Sequence, residues 1–205
     1  DEIVFSTLLI INYKFLPKKS TLPTNEKKEI IKEIYRLGLI SMITLLLTTL
    51  NYSLDVIILK NISNDTSVGL YSIGNSLASM LWIIPDAFKE VILNKTSKSD
   101  SVDDITFSLK CNILISTIII IVFIIIGRYF ISIVYGSEYT NSYFATIILL
   151  FGSLCMISHK IISPLLYSKG LQKKLCIIFL GAVILNVFLN FILIPRYDII
   201  GAAIS

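Results

Sequence analysis

The chain has 205 residues, 55% hydrophobic and 16% charged, with a formal net charge of +4 and a mean hydropathy of +0.81. Soluble domains run about 45–50% apolar and about 25% charged, and disorder needs low hydrophobicity with high net charge, so both classes are excluded and an integral membrane protein remains. Five Pro and nine Gly exclude a low-complexity chain, while one His and three Cys leave little for a metal cluster or a disulfide framework.

In chain order, Ile3 to Tyr13 is an apolar run of 11 residues. A span needs about 20, so this run reads as the tail of a preceding transmembrane helix. Residues 14–36 follow as a connector, where Pro17 and Pro23 break the incoming helix. Thr24 or Asn25 can cap a new helix with Glu26 in its first turn, leading amphipathically into the next span. Five charge-free intervals come next: Leu37 to Leu54, Thr66 to Pro85, Cys111 to Gly127, Tyr139 to Ser158 and Leu175 to Pro195, of 18, 20, 17, 20 and 21 residues. Each can cross roughly 30 Å of hydrocarbon with help from its flanks. Ile-rich segments favour strands by propensity. Lipid requires every backbone group to be paired within the segment, so these are helices. Asp86 to Lys98 reads as an amphipathic helix end at the interface. The chain stops as a further apolar run opens at Gly201, and both ends look cut. The expectation is an all-α polytopic transmembrane bundle, with five full spans between two truncated ones, and with 37–205 as its main part.

All 18 Lys and Arg fall between spans, and the successive gaps hold 7, 1, 4, 1, 4 and 1 of them. Positive charge marks the cytoplasmic side. Residues 14–36, 86–110 and 159–174 are therefore expected in the cytoplasm. The net charge is a topology signal, and no nucleic-acid partner is expected.

Charge inside a bilayer costs several kcal/mol, roughly 2.5–3.5 at a helix centre on insertion scales, and so tends to be functional. Asp55 either faces a cavity near the outer end of its helix or sits at the interface partnered by Lys60. Arg128 precedes another apolar stretch; its helix either carries the guanidinium into the outer leaflet, or the side chain snorkels. His159 and Lys160 either close a helix that ends at Ser158, in the headgroup layer, or lie within one that runs to Ser168 with a kink at Pro164. In the second case a cationic pair facing an inward cavity could meet a phosphate. Asn186 and Asn190 are four apart and share a helix face. Asn75 and Asn112 are similar intrusions, and such Asn residues serve as interhelical glue or, less often, contact substrate. The three Cys have no CxxC spacing and lie in apolar runs, His159 has no second His, and no nucleotide-binding loop occurs. No metal, cofactor or enzymatic activity is expected.

Asp55-Val-Ile-Ile-Leu59, Val68-Gly-Leu-Tyr-Ser72 and Ile83-Ile-Pro85 resemble the oligosaccharide-flippase branch of the multidrug/oligosaccharidyl-lipid/polysaccharide exporter superfamily. Tyr135-Gly-Ser-Glu-Tyr139 looks like that family's G-x-x-Y turn. Leu185-Asn-Val-Phe-Leu-Asn190, Leu193-Ile-Pro195 and Gly201-Ala-Ala203 look like its LNxxLNxxLIPxxGxxGAA segment. The chain departs from the pattern at Asp198, where relatives usually carry glycine, and at Asn94, near a common proline. The resemblance implies a two-lobe transporter working by alternating access in the bacterial cytoplasmic membrane, with this chain holding the end of the first lobe and most of the second. It implies flipping of undecaprenyl-pyrophosphate-linked repeat units for O-antigen or capsule, with basic residues meeting the pyrophosphate and acidic ones serving ion coupling. The implied partners are that lipid-linked oligosaccharide, membrane lipids and the polysaccharide polymerase machinery. The alternatives are a multidrug or metabolite cation antiporter of the same superfamily, and a membrane-embedded polysaccharide polymerase or ligase.

Overall fold

The structure, a computed structural model, describes residues 24–88 and 102–205. The leading tail at 1–13, residues 14–23 of the connector with both its prolines, and most of the amphipathic stretch from Asp86 to Lys98 lie outside the described residues. Among the described residues the secondary structure is entirely helical: α1 (Thr24–Ile62), α2 (Asp65–Met80), α3 (Val102–Val134), a 3₁₀ helix (Ser137–Ser142), α4 (Tyr143–Ser168) and α5 (Gln172–Ile204). Five segments are long and apolar enough to cross a membrane. All five predicted intervals fall within them, and the helices overrun most of the predicted ends. Helical hydrogen bonding continues through charged flanks whose long side chains can reach water.

Residues up to Leu39 form one compact unit and Ile40–Ser205 another. In the first, the α1 surface is exposed and Glu33 and Arg36 approach to 3.9 Å one turn apart, a surface pair of small energetic weight. In the second, α4 packs against α2, α3 and α5. One apolar cluster joins Ala78, Leu81, Ile105, Ile120, Leu150, Ile157 and Ile161. Another joins Ile58, Leu59, Tyr71, Ile194 and Ala202. Large apolar side chains such as Ile125, Ile133, Ile177, Phe188 and Phe191 are exposed, the outward face that hydrocarbon solvates rather than water.

Local chemistry explains the interruptions. Asn64 caps α2, accepting from the Ser67 backbone N–H at 2.8 Å, so this helix starts a few residues before the Val68-Gly-Leu-Tyr-Ser72 motif. The helix breaks at Leu81–Trp82 and resumes over 83–88. Pro85 lies four residues beyond Leu81, whose carbonyl it can neither bond nor pack against in a regular helix. Gly136 adopts φ +105°, opening the expected turn before the 3₁₀ helix, a conformation L side chains disfavour.

The sharpest turn is inside α5. Asp198 has φ 49° and ψ −125°, the values of the first central residue of a type II′ turn, where glycine dominates. The chain reverses there, and Ser205 comes back to Asn190, donating to its Oδ1 at 2.7 Å. Asp198 holds this conformation through its carboxylate, which accepts from the hydroxyls of Ser63 and, at 2.6 Å, Ser67. The side chain thus ties the α5 reversal to the α1–α2 turn. Asp198→Ala removes both bonds and keeps the strain, and is expected to cost about 2–4 kcal/mol. Asp198→Gly loses the bonds but relieves the strain, and is expected to cost less than half as much. Thermal unfolding of the two variants in detergent checks the order; equal losses would show that the backbone conformation carries no strain.

Candidate functional site

Two cavities lie side by side within the Ile40–Ser205 unit, sharing Tyr52. The first, about 260 Å³, has a mixed wall: Asn51, Tyr52, Asp55, Tyr71, Asn75, Trp82, Ser153 and Asn186, with Ala202 to Ser205 of the returning chain, and the apolar Ala78, Leu149, Gly152 and Met156. Asp55 lies inside α1, seven residues before its end. Its Oδ1 accepts from Asn186 Nδ2 at 2.8 Å and Asn190 Nδ2 at 2.7 Å, and its Oδ2 accepts from the Tyr71 hydroxyl at 3.0 Å. Asn190 also donates to Asn186 Oδ1 at 3.1 Å. The pair shares one face of α5 because four residues make about one turn. Both are buried, Asn190 fully. Asp55 therefore occupies the cavity-facing alternative, held by two other helices, while Lys60 is exposed.

The second cavity, about 280 Å³, is lined by Thr44, Thr48, Tyr52, His159, Lys160, Ser163 and Tyr167, among others. The helix that ends at Ser158 does not form. α4 continues to Ser168, because 161–167 is itself apolar and its backbone groups must be satisfied locally. His159 stacks edge-on against Phe179, centroids 4.7 Å apart, and the Ser163 hydroxyl donates to its carbonyl at 2.6 Å. Lys160 Nζ bonds both carboxylate oxygens of Asp86, at 2.7 and 2.8 Å, and lies 5.2 Å from the centre of the Trp82 ring. Trp82 also meets Tyr52 at 4.8 Å, so the two rings separate the cavities. The Lys160 side chain is 19% exposed against 50% for Asp86. The pair joins two segments expected on one side of the membrane, and Asp198 with Ser63 joins two expected on the other.

Among the candidates read from sequence, Asp55, Asn75 and Asn186 line the first cavity, Asn190 supports Asp55 from behind it, and His159 and Lys160 line the second. Arg128 lines neither; it is exposed on α3, which runs on to Val134. Asn112 is fully buried, but its amide donates to Ser108 O of its own helix at 2.9 Å and its Oδ1 has no partner. It is not the interhelical bridge expected. Sequence reading missed Asn51, Tyr71, Trp82 and Ser205. Asn51 stands four residues before Asp55, the same spacing that flagged Asn186 and Asn190, and Tyr71 is the tyrosine of the Val68–Ser72 motif. Among the described residues no cluster of His, Cys, Asp and Glu suits a metal ion.

These features define a polytopic helical membrane protein with a carboxylate-bearing interior. A family model described as "Polysaccharide biosynthesis protein" matches residues 2–144, and the chain belongs to that family. It is similar to the capsular polysaccharide biosynthesis protein CapF of Staphylococcus aureus, 24% identical over 184 residues that cover 85% of this chain and 46% of that protein. The chain thus spans about half the length of the curated relative it matches. No solved structure matches it.

Proposed function

We propose that this chain carries the end of the first lobe and most of the second lobe of a transporter that flips undecaprenyl-pyrophosphate-linked oligosaccharide units across the bacterial cytoplasmic membrane by alternating access, for capsule or related surface polysaccharide. The supporting observation is Asp55, a carboxylate inside a span that is held by donors from two other helices and lines a cavity of mixed polar and apolar character. A group so costly in hydrocarbon is retained where it binds or couples. Asp55 is the coupling residue in this reading. Lys160, in the adjoining cavity, is the cation that a pyrophosphate draws away from Asp86, since charge-assisted bonds to phosphate rank among the strongest available. Membership of a polysaccharide biosynthesis family and the likeness to a capsular protein support the substrate class.

Deletion of the gene is expected to trap lipid-linked glycan on the cytoplasmic leaflet and abolish surface polysaccharide. Lys160→Ala is expected to lower surface polysaccharide about tenfold or more, the loss of one charge-assisted contact, with Lys160→Arg restoring most of it and Asp86→Asn tolerated. Equal defects in Lys160→Ala and Asp86→Asn would assign the lysine to the ion pair alone. Normal sidedness with altered drug susceptibility would indicate a cation antiporter, to which the Asp55 cavity is also suited. Outward-facing but unpolymerised glycan would indicate a polymerase.

A further inference from the structure

We infer that Trp82 is a gate between the two cavities, and that Asp86 holds it shut by occupying Lys160 until a phosphate takes its place; the role of the phosphate rests on the transport reading above. Trp82 stands at the break in α2. The Leu81 and Trp82 N–H groups bond carbonyls three residues back, those of Ala78 and Ser79, at 3.2 and 3.0 Å. This is the tighter 3₁₀ pattern that often marks a hinge inside a helix. Pro85 brings no N–H for the Leu81 carbonyl, and regular bonding resumes with Asp86 N–H donating to the Trp82 carbonyl at 3.0 Å. Beyond the break, Pro85 alone of residues 83–88 is buried. A helix end with so few buried contacts opens at low cost unless its side chains are gripped from outside.

The grip comes from one ammonium. Lys160, on α4, bonds both carboxylate oxygens of Asp86 at 2.7 and 2.8 Å and lies 5.2 Å from the centre of the Trp82 ring. A single cation thus fastens both sides of the hinge, through a charge-assisted pair and a cation–π contact. The indole itself is not pinned. Its ring meets Tyr52 at 4.8 Å, yet its N–H is buried without a partner, so the closed position makes no hydrogen bond there and any acceptor or water reached on swinging out supplies one. Tyr52 is fixed by its place inside the long α1, with its hydroxyl against Met156 Sδ at 3.9 Å. Trp82 is therefore the ring that moves. Asp86 is half-exposed, and a phosphate in the second cavity competes with it for the same ammonium. When the phosphate wins, residues 83–88 and the indole are released together. The cavities of about 260 and 280 Å³ then open into one space, larger than either offers alone.

Trp82 is the one tryptophan of the chain, so acrylamide quenching of its emission reads the gate. The protein as its host makes it, purified in detergent, is titrated with inorganic pyrophosphate, and the signal of Trp82→Phe is subtracted. Binding is read in parallel from the thermal midpoint. Pyrophosphate is expected to raise the quenching constant at least about twofold, as for a gate that passes from mostly closed to mostly open. Asp86→Ala is expected to show the raised constant without pyrophosphate, and to half-saturate at about fivefold lower pyrophosphate because a partly exposed ion pair no longer competes. Pro85→Ala supplies the missing N–H and is expected to keep quenching low with and without pyrophosphate, a direction that general loosening of the fold does not produce. A raised midpoint with unchanged quenching would overturn the gate and leave the phosphate reading of Lys160 standing. If pyrophosphate changes neither, that reading of Lys160 falls, and Asp86→Ala decides the gate by itself: an accessible Trp82 supports it and a shielded one overturns it.

Discussion

Asp55→Asn is expected to leave the protein folded and to abolish its transport. The amide keeps an oxygen for Asn186 and Asn190, and its new N–H₂ can donate to the Tyr71 hydroxyl oxygen, so every group around position 55 retains a partner. Stability should change by no more than about 1 kcal/mol, one net hydrogen bond. What disappears is the charge that the proposed mechanism couples to, so surface polysaccharide should fall at least about tenfold. Asp55→Leu should behave differently. It removes the shared acceptor in a buried site, leaving Asn190 only its bond to Asn186 Oδ1 and Tyr71 only the Ala202 carbonyl at 3.5 Å, at about 1–3 kcal/mol for each donor hydrogen left unpaired, and the protein should accumulate poorly. Quantifying membrane-inserted protein beside surface polysaccharide separates the two effects. Full polysaccharide production from folded Asp55→Asn would remove the coupling role and leave Asp55 as interhelical glue.

Gly201→Val should be the most damaging single substitution for the fold. A Cβ at Gly201 would lie 2.9 Å from Ile194 N and closer still to the Leu193 carbonyl. These are backbone atoms of the other limb of the α5 reversal, so no rotamer change relieves the clash. Even alanine forces the two limbs apart, and overpacking of this kind costs about 1–3 kcal/mol when side chains can yield, more when they cannot. The displacement would carry Ser205 away from Asn190 and Ala202 away from the Asp55 cavity. Gly201→Ala is therefore expected to lower both the thermal midpoint and surface polysaccharide, and Gly201→Val to leave little membrane-inserted protein. By contrast Gly181 meets nothing within 4 Å, and alanine there should be tolerated, which makes it a matched control.

Gly201 also illustrates how a residue can be read correctly in kind and not in consequence. Its small size was legible, since small residues let membrane helices approach closely. That the partner is the chain's own backbone eight residues earlier follows only from the reversal at Asp198. Asp198 is legible as a departure from the pattern of the family the chain resembles, yet its compensation by Ser63 and Ser67 joins residues 135 and 131 positions away. Asn186 and Asn190 were paired by helical spacing alone, while their common acceptor lies 131 and 135 positions earlier.

The sequence by itself determined the membrane class and the five spans. These depend on a local quantity, the length of a charge-free run against the thickness of hydrocarbon. Only the tertiary structure decided that Asp55 faces inward, that Tyr71 and Asn51 belong beside it, that Lys160 is paired with Asp86, and that Arg128 lies apart. Helices that are apolar nearly all round carry almost no periodic signal of which face meets which neighbour. Their rotation is set by packing and by a few buried hydrogen bonds, and those exist only once the helices are assembled.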